Sequence, residues 1–291
     1  TIEKKVVASV TESLKADYQF ADWARLVEIF QNPSLQMISF TITEKGYTYN
    51  DADLARGLQP VFAMGKVCAL LLERYKSPLQ TSTGGLPVTV QSMDNCSHNG
   101  DRAKEAIAAY AERWVKDGLA DEGFLTYLGL SHSGESEGGR VTFPWSMIDK
   151  ITPRPHIKVK ELLAADGFED NDYIETEKHT FTAPFVNAEE VQYLVIEDNY
   201  TNGRPPLDLG GALYTTRETV DKVETMKVTT CLNPLHTALA VYGCLLGFKK
   251  ISAEMKDPDL VGLITKMGYG EGLPVVDDPK ILNPKAFIAE V

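Results

Sequence analysis

The chain has 291 residues, 43% hydrophobic and 24% charged, with a formal net charge of -12; this supports one large or two medium folded domains and excludes a disordered or fibrous protein. The acidic excess argues against nucleic acid or an anionic membrane surface as partner, because both select basic surface. No apolar run reaches the roughly 18 residues of a membrane span, and Cys68, Cys96, Cys231 and Cys244 show no C-x-x-C pairing, which reads as reduced thiols in the cytoplasm.

Residues 6–10 form a short apolar strand candidate, followed by a helix with Trp23, Leu26, Val27 and Phe30 on one face. Residues 37–43 (MISFTIT) are β-rich and run into a polar turn at Glu44. Residues 61–75 predict a buried helix, residues 87–93 (PVTVQSM) a second buried strand, and residues 101–115 an amphipathic helix. This alternation predicts an α/β domain with a largely parallel sheet, and such sheets bind ligands beyond the carboxyl ends of their strands. The natural site loops are therefore those after Thr43 and Met93. Farther on, residues 129–140 predict a flexible glycine- and serine-rich loop, residues 157–183 an acid-rich insertion, and residues 191–196 (VQYLVI) a third strand. From Thr219 the pattern is helical, which sets a domain boundary near residue 218 and divides 1–218 from 219–291.

The densest chemistry lies in residues 224–246. Glu224, Lys227, Asn233 and His236 fall within thirteen residues that lead into the apolar run 237–246, read as a buried helix. Glu224 and Lys227 are one helical turn apart. Pro234 predicts a break, with Asn233 as the cap of a new helix and Pro234 at its first position. His236 then lies in the first turn, where free N–H groups and the helix dipole favour a developing negative charge. Taken singly, each has a plainer reading: a surface ion pair, a cap, a core histidine.

Five blocks, residues 41–47 (TITEKGY), 92–100 (SMDNCSHNG), 141–153, 195–206 (VIEDNYTNGRPP) and 226–247, occur in an order that resembles the mannitol dehydrogenase family of long-chain polyol dehydrogenases. The resemblance implies a Rossmann-like domain followed by the start of a mainly helical one. It also implies hydride transfer between NAD or NADP and the secondary alcohol or ketone of an open-chain sugar derivative, with no metal. Fructuronate and mannonate are the expected pair, with mannitol and fructose as the alternative. Lys227 matches the family's general base, Glu224 a proton relay, and Asn233 and His236 the groups that hold the reacting oxygen. Thr43, Glu44, Asp94 and Asn95, at strand ends, are expected on the cofactor. Asp94 and Asn95 have the plainer reading of an Asx-turn. Asp198 either caps a turn or orients Lys227, and Arg204 is either a clamp for a substrate anion or a solvated turn arginine.

The chain departs from the family in three ways. Five residues separate Lys227 from Asn233, where the family usually has four, and a kink at Pro234 is expected to absorb one. Trp145 stands where a smaller or polar residue is expected. No G-x-G-x-x-G occurs, and Gly84-Gly85 and Gly210-Gly211 lie in the wrong context for one. The sequence therefore reads as a portion of a longer enzyme, lacking its first strand-helix-strand unit and its last helices. The alternative of another class is a non-catalytic fragment or scaffold without a working cofactor site. His98, His132, His156 and His179 show no metal-ligand spacing.

Overall fold

The computed structural model describes residues 2–79, 85–130, 139–177 and 179–290. Most of the loop expected over 129–140, with His132, lies outside the described residues, as does Gly84. The chain divides into two compact units. The first comprises Thr1–Ser146, Ile196–Gly210 and Tyr214–Arg217, and the second Met147–Val195, Gly211–Leu213 and Glu218–Val291. Chain crossing near residue 218 is thus one of several, and the segment after Ser146 groups with the second unit.

In the first unit α1 (Asp22–Gln31) leads to β1 (Met37–Phe40). There follow α2 (Asp51–Leu54), α3 (Ala63–Tyr75), β2 (Val88–Ser92), α4 (Asn99–Lys116), α5 (Glu122–Tyr127) and β3 (Val141–Thr142). β2 is the middle strand, parallel to β1 with Met37 opposite Thr89 and to β3 with Val88 opposite Val141. Parallel neighbours need long crossovers, which α3 and α4 supply. All five residues of β2 are buried, as its unbroken run predicts for a strand covered on both faces. Leu71, Leu72, Ile107, Tyr110, Trp114 and Phe124 are essentially inaccessible, each contributing roughly 1.5–3 kcal/mol of burial. This is the α/β class expected.

Two buried charges fix the ends of α3. Asp53 accepts the N–H groups of Val61 (2.7 Å) and Phe62 (3.2 Å), just before the helix, and the Tyr110 hydroxyl (2.6 Å). At the other end Arg74 donates to the carbonyls of Phe30, Asn32 (2.8 Å), Leu35 (3.2 Å), Leu86 (3.1 Å) and Pro87 (2.7 Å). One guanidinium thereby ties α3 to the approaches of β1 and β2. The strand expected at residues 6–10 does not form. Val6, Val7 and Val10 are exposed and take no strand geometry, since an isolated β-prone segment has no ladder to satisfy its backbone.

The following part of the chain carries β4 (Ser146–Lys150), α6 (Ile157–Ala165), β5 (Ile174–Glu175), β6 (Phe181–Thr182), β7 (Gln192–Glu197) and β8 (Leu213–Thr215). β4, β7 and β8 form a sheet in the order β4-β7-β8, while β5 and β6 make a small antiparallel pair. α6 buries none of its residues. Helices then dominate: α7 (Arg217–Met226), a π-helical turn (Lys227–Cys231), α8 (Asn233–Leu245), α9 (Ile251–Glu254), α10 (Pro258–Thr265), a second π-helical turn (Lys266–Gly272) and α11 (Pro284–Glu290). The expectation that 237–246 is a buried helix holds for one face only. α8 buries the stripe Leu235, Leu239 and Gly243, but Val241, Tyr242, Leu245 and Leu246 are exposed. Four-residue spacing buries one face only.

Candidate active site

At the carboxyl ends of β1 and β2 one carboxylate organises the chain. Asp94, 6% exposed, accepts the N–H of Thr43 (2.7 Å) on one oxygen, and the N–H of Ile42 (3.0 Å) and the Tyr47 hydroxyl (2.6 Å) on the other. Tyr47 also meets the Ser92 hydroxyl. Burial, and next the hydrogen bond to Asp94, push the Tyr47 phenol far above its ordinary pKa, so it stays protonated and donating. Thr43 has φ 61°, a costly setting for a β-branched residue, and its bond to Asp94 fixes it there.

The strand-end loop is fastened again at Asn99. Its amide donates to the Asp94 carbonyl (2.9 Å) and the Ser146 carbonyl (2.9 Å), and its oxygen accepts the Ser146 N–H (3.0 Å). Gly100 lets α4 start against the backbone, because a Cβ there would stand 2.5 Å from the Phe143 oxygen. Between these fastenings Asn95 is exposed. Glu44 opens a 3₁₀ turn (Glu44–Tyr47) and pairs with Arg102 at 2.9 Å. Of the four residues expected on the cofactor, Asp94 and Thr43 are thus bound to each other, and Asn95 and Glu44 face outward.

Asp198 and Arg204 pair with each other at 2.7 Å, and Arg204 lies over the Tyr214 ring (4.3 Å). Sequence reasoning missed a second group nearby in the fold. The Trp145 ring stacks on His98 (4.1 Å between centroids), and the Arg217 guanidinium lies 4.8 Å from its centre. Glu197 accepts from the Trp145 N–H (3.0 Å) and from Arg217 Nε (3.0 Å). The only forecast of this cluster in the sequence was the unusual tryptophan. A concavity lined by Ile29, Ser34, Met37 and Pro205 lies at the amino end of β1, away from these strand ends.

In the second unit Lys227 is 1% exposed, and its Nζ donates to the Ile148 carbonyl at 2.8 Å. Desolvation lowers its pKa, while the charges of Asp149 and Glu224 oppose that shift. Glu224 is half-buried, three residues earlier in α7. Asn233 is exposed and is the first residue of α8, not its cap. Leu232, with φ -129° and ψ -68°, makes the break instead, and Pro234 is the second helical residue. The His236 N–H bonds the Leu232 carbonyl (3.0 Å), which starts the helix one residue earlier than Pro234 alone suggests. His236 is half-buried in that first turn. The result is a desolvated amine and, six to nine residues on, an amide and an imidazole at a helix start.

No family model matches the chain. Comparison with curated proteins finds similarity to proteins named as oxidoreductases or dehydrogenases of D-mannonate and of polyols. It is 49% identical over 99% of its length to D-mannonate oxidoreductase of Thermotoga maritima, of which it covers 53%. It is 30% identical over 88% of its length to mannitol 2-dehydrogenase of Cereibacter sphaeroides, covering 49% of that protein. Among solved structures, a D-sorbitol dehydrogenase in substrate-free form superposes with a TM-score of 0.72 at 26% identity, over 93% of this chain and 51% of that one. Pseudomonas fluorescens mannitol 2-dehydrogenase, in a complex with NAD and D-mannitol, superposes at 0.66 over 92% and 50%, and at 24% identity it speaks for the fold alone. The chain therefore resembles the mannitol dehydrogenase family along nearly its whole length, and it spans about half the length of the relatives it matches.

Asn95 and Glu44 place an amide and a carboxylate, the latter paired with Arg102, at the carboxyl ends of parallel strands, where sheets of this kind bind ligands. The turn after β1 does not suit the pyrophosphate. Its single glycine, Gly46, packs against the Ile42 side chain, and the Ile42 and Thr43 N–H groups are already spent on Asp94. No described helix is long and apolar enough to cross a membrane.

Proposed function

We propose that the protein carrying this chain interconverts fructuronate and mannonate by hydride transfer with NAD or NADP. The observation that carries this is Lys227, a buried amine with a lowered pKa in a chain 49% identical to a D-mannonate oxidoreductase. Bound nicotinamide supplies the hydride acceptor or donor. Lys227, neutral, takes the hydroxyl proton onto Nζ as the alcohol is oxidised and returns it as the ketone is reduced. Loss of its charge near neutral pH is what desolvation favours, and a general base works best there. Glu224 passes the proton onward. Asn233 and His236 hold the reacting oxygen at the positive end of α8 as it gains alkoxide character. Asn95 and Glu44 take the ribose and ring of the cofactor, with Asp94 and Thr43 fixing the loops that carry them. Arg204 is the clamp for a substrate anion, with Asp198 orienting it. The free cysteines, two of them buried, support a reducing, cytoplasmic setting. The mannitol and fructose reading is favoured by the mannitol 2-dehydrogenase relatives, at lower identity.

The test is Lys227→Ala in the whole protein, following NADH oxidation with fructuronate and with fructose. Turnover is expected to fall about 10²–10⁴-fold with NADH affinity retained. Unchanged turnover sinks the assignment, and activity on fructose alone selects the mannitol reading.

A further inference from the structure

Lys227 opens a π-helical turn. Its carbonyl accepts the Leu232 N–H at 3.1 Å, a bond that spans five residues in place of four. Closing that wider ring fits about five residues into one turn where an α-helix needs about four. Five residues separate Lys227 from Asn233, one more than a turn of α-helix takes up. The π turn takes up the additional residue. Asn233 and His236 then resume α8 close to the angular position that a four-residue separation gives in an α-helix.

Such turns are rare and need support from their surroundings. Here the support is the second π turn, Lys266–Gly272. A Cβ on Gly272 would stand 2.9 Å from Thr230 Cγ2 and 3.2 Å from the Met267 carbonyl, so only glycine lets the two turns approach so closely. Gly268 similarly faces Leu235, which lies between Asn233 and His236. Thr229 donates its hydroxyl back to the Thr225 carbonyl at 2.6 Å, a local bond that bends helices.

We propose that the two packed π turns, with Gly272 fitted against Thr230, are a positioning device that keeps Lys227 in register with Asn233 and His236. Thr230 and Gly272 are positioning residues, and the inference rests on the reaction assigned above. Two variants of the whole protein test it. Deleting the exposed Thr229 leaves four residues between Lys227 and Asn233 and lets the turn close as an α-helix. Turnover on the sugar-acid substrate is expected to stay within about tenfold of the parent. Gly272→Ala pushes a methyl group into Thr230, and kcat is expected to fall about 10–100-fold, the scale of a small misplacement, with KM and NADH affinity within about twofold. Thr230→Ser, which removes the opposing methyl group, is expected to restore kcat in the double variant.

A folded Thr229 deletion without turnover overturns the proposal, as does a Gly272→Ala loss that Thr230→Ser fails to rescue. Where the deletion does not fold, the Gly272 and Thr230 pair decides alone. Undiminished turnover in Lys227→Ala is a different failure, that of the reaction assignment, and is read on a different variant.

Discussion

Arg74 in the first unit and Lys227 in the second are both almost fully buried cations, 0% and 1% exposed, and both have pKa values lowered chiefly by desolvation. Their surroundings nevertheless make them different things. Arg74 spreads its donors over five carbonyls, and a guanidinium stays charged in any such cage. Lys227 starts from an ordinary pKa of 10.5, has Nζ on the Ile148 carbonyl, and feels Asp149 and Glu224 through their charges. A buried cation becomes structural when its proton cannot leave and reactive when it can.

The largest effect that breaks this comparison is expected from Arg74→Met. Five carbonyls lose their donor at once, and stability should fall by about 3–5 kcal/mol, seen as a lower urea midpoint with an unchanged slope. A loss under about 1 kcal/mol would show that the cage does not hold the α3 end. Asp94→Asn comes next. An amide keeps one acceptor oxygen, so either the Thr43 N–H or the Ile42 N–H loses its partner, at a cost of about 1.5–3 kcal/mol. Hydrogen exchange at one of those two amides should accelerate, and unchanged protection at both would refute the role given to Asp94.

The smallest effect sharpens the lysine side. The folded chain holds the Lys227 proton more weakly than the unfolded chain does. Between the lowered pKa and 10.5 the unfolded state binds more protons, so this group makes stability rise with pH across that window. In Lys227→Met the increment should vanish, and urea midpoints should climb less from neutral to alkaline pH than in the parent. Parallel pH profiles for the two proteins would mean that Lys227 is not desolvated enough to matter.

Local patterns were legible where they coincide with packing. The β-rich runs at 37–43 and 87–93 became β1 and β2, and the helical periodicity at 61–75 and 101–115 became α3 and α4. The run at 6–10 looked as β-prone but has no ladder, because a strand depends on a partner far away in the sequence. The lysine, amide and imidazole were named from the sequence, yet the π turn that carries the lysine was not. Proline signals a break without saying which residue makes it, and Leu232 makes it here. Arg74 was invisible for the same reason, since its carbonyl partners come from two stretches of chain, 30–35 and 86–87, one of them about forty residues away. The His98, Trp145 and Arg217 stack likewise draws on residues far apart in sequence.

Cys244 is a free, exposed thiol on the helix whose Val241, Tyr242 and Leu245 side chains also face outward. When copies touch through those side chains, air oxidation can turn a passing encounter into a covalent crosslink. A reductant in every buffer, or Cys244→Ser, keeps the protein free of such crosslinks.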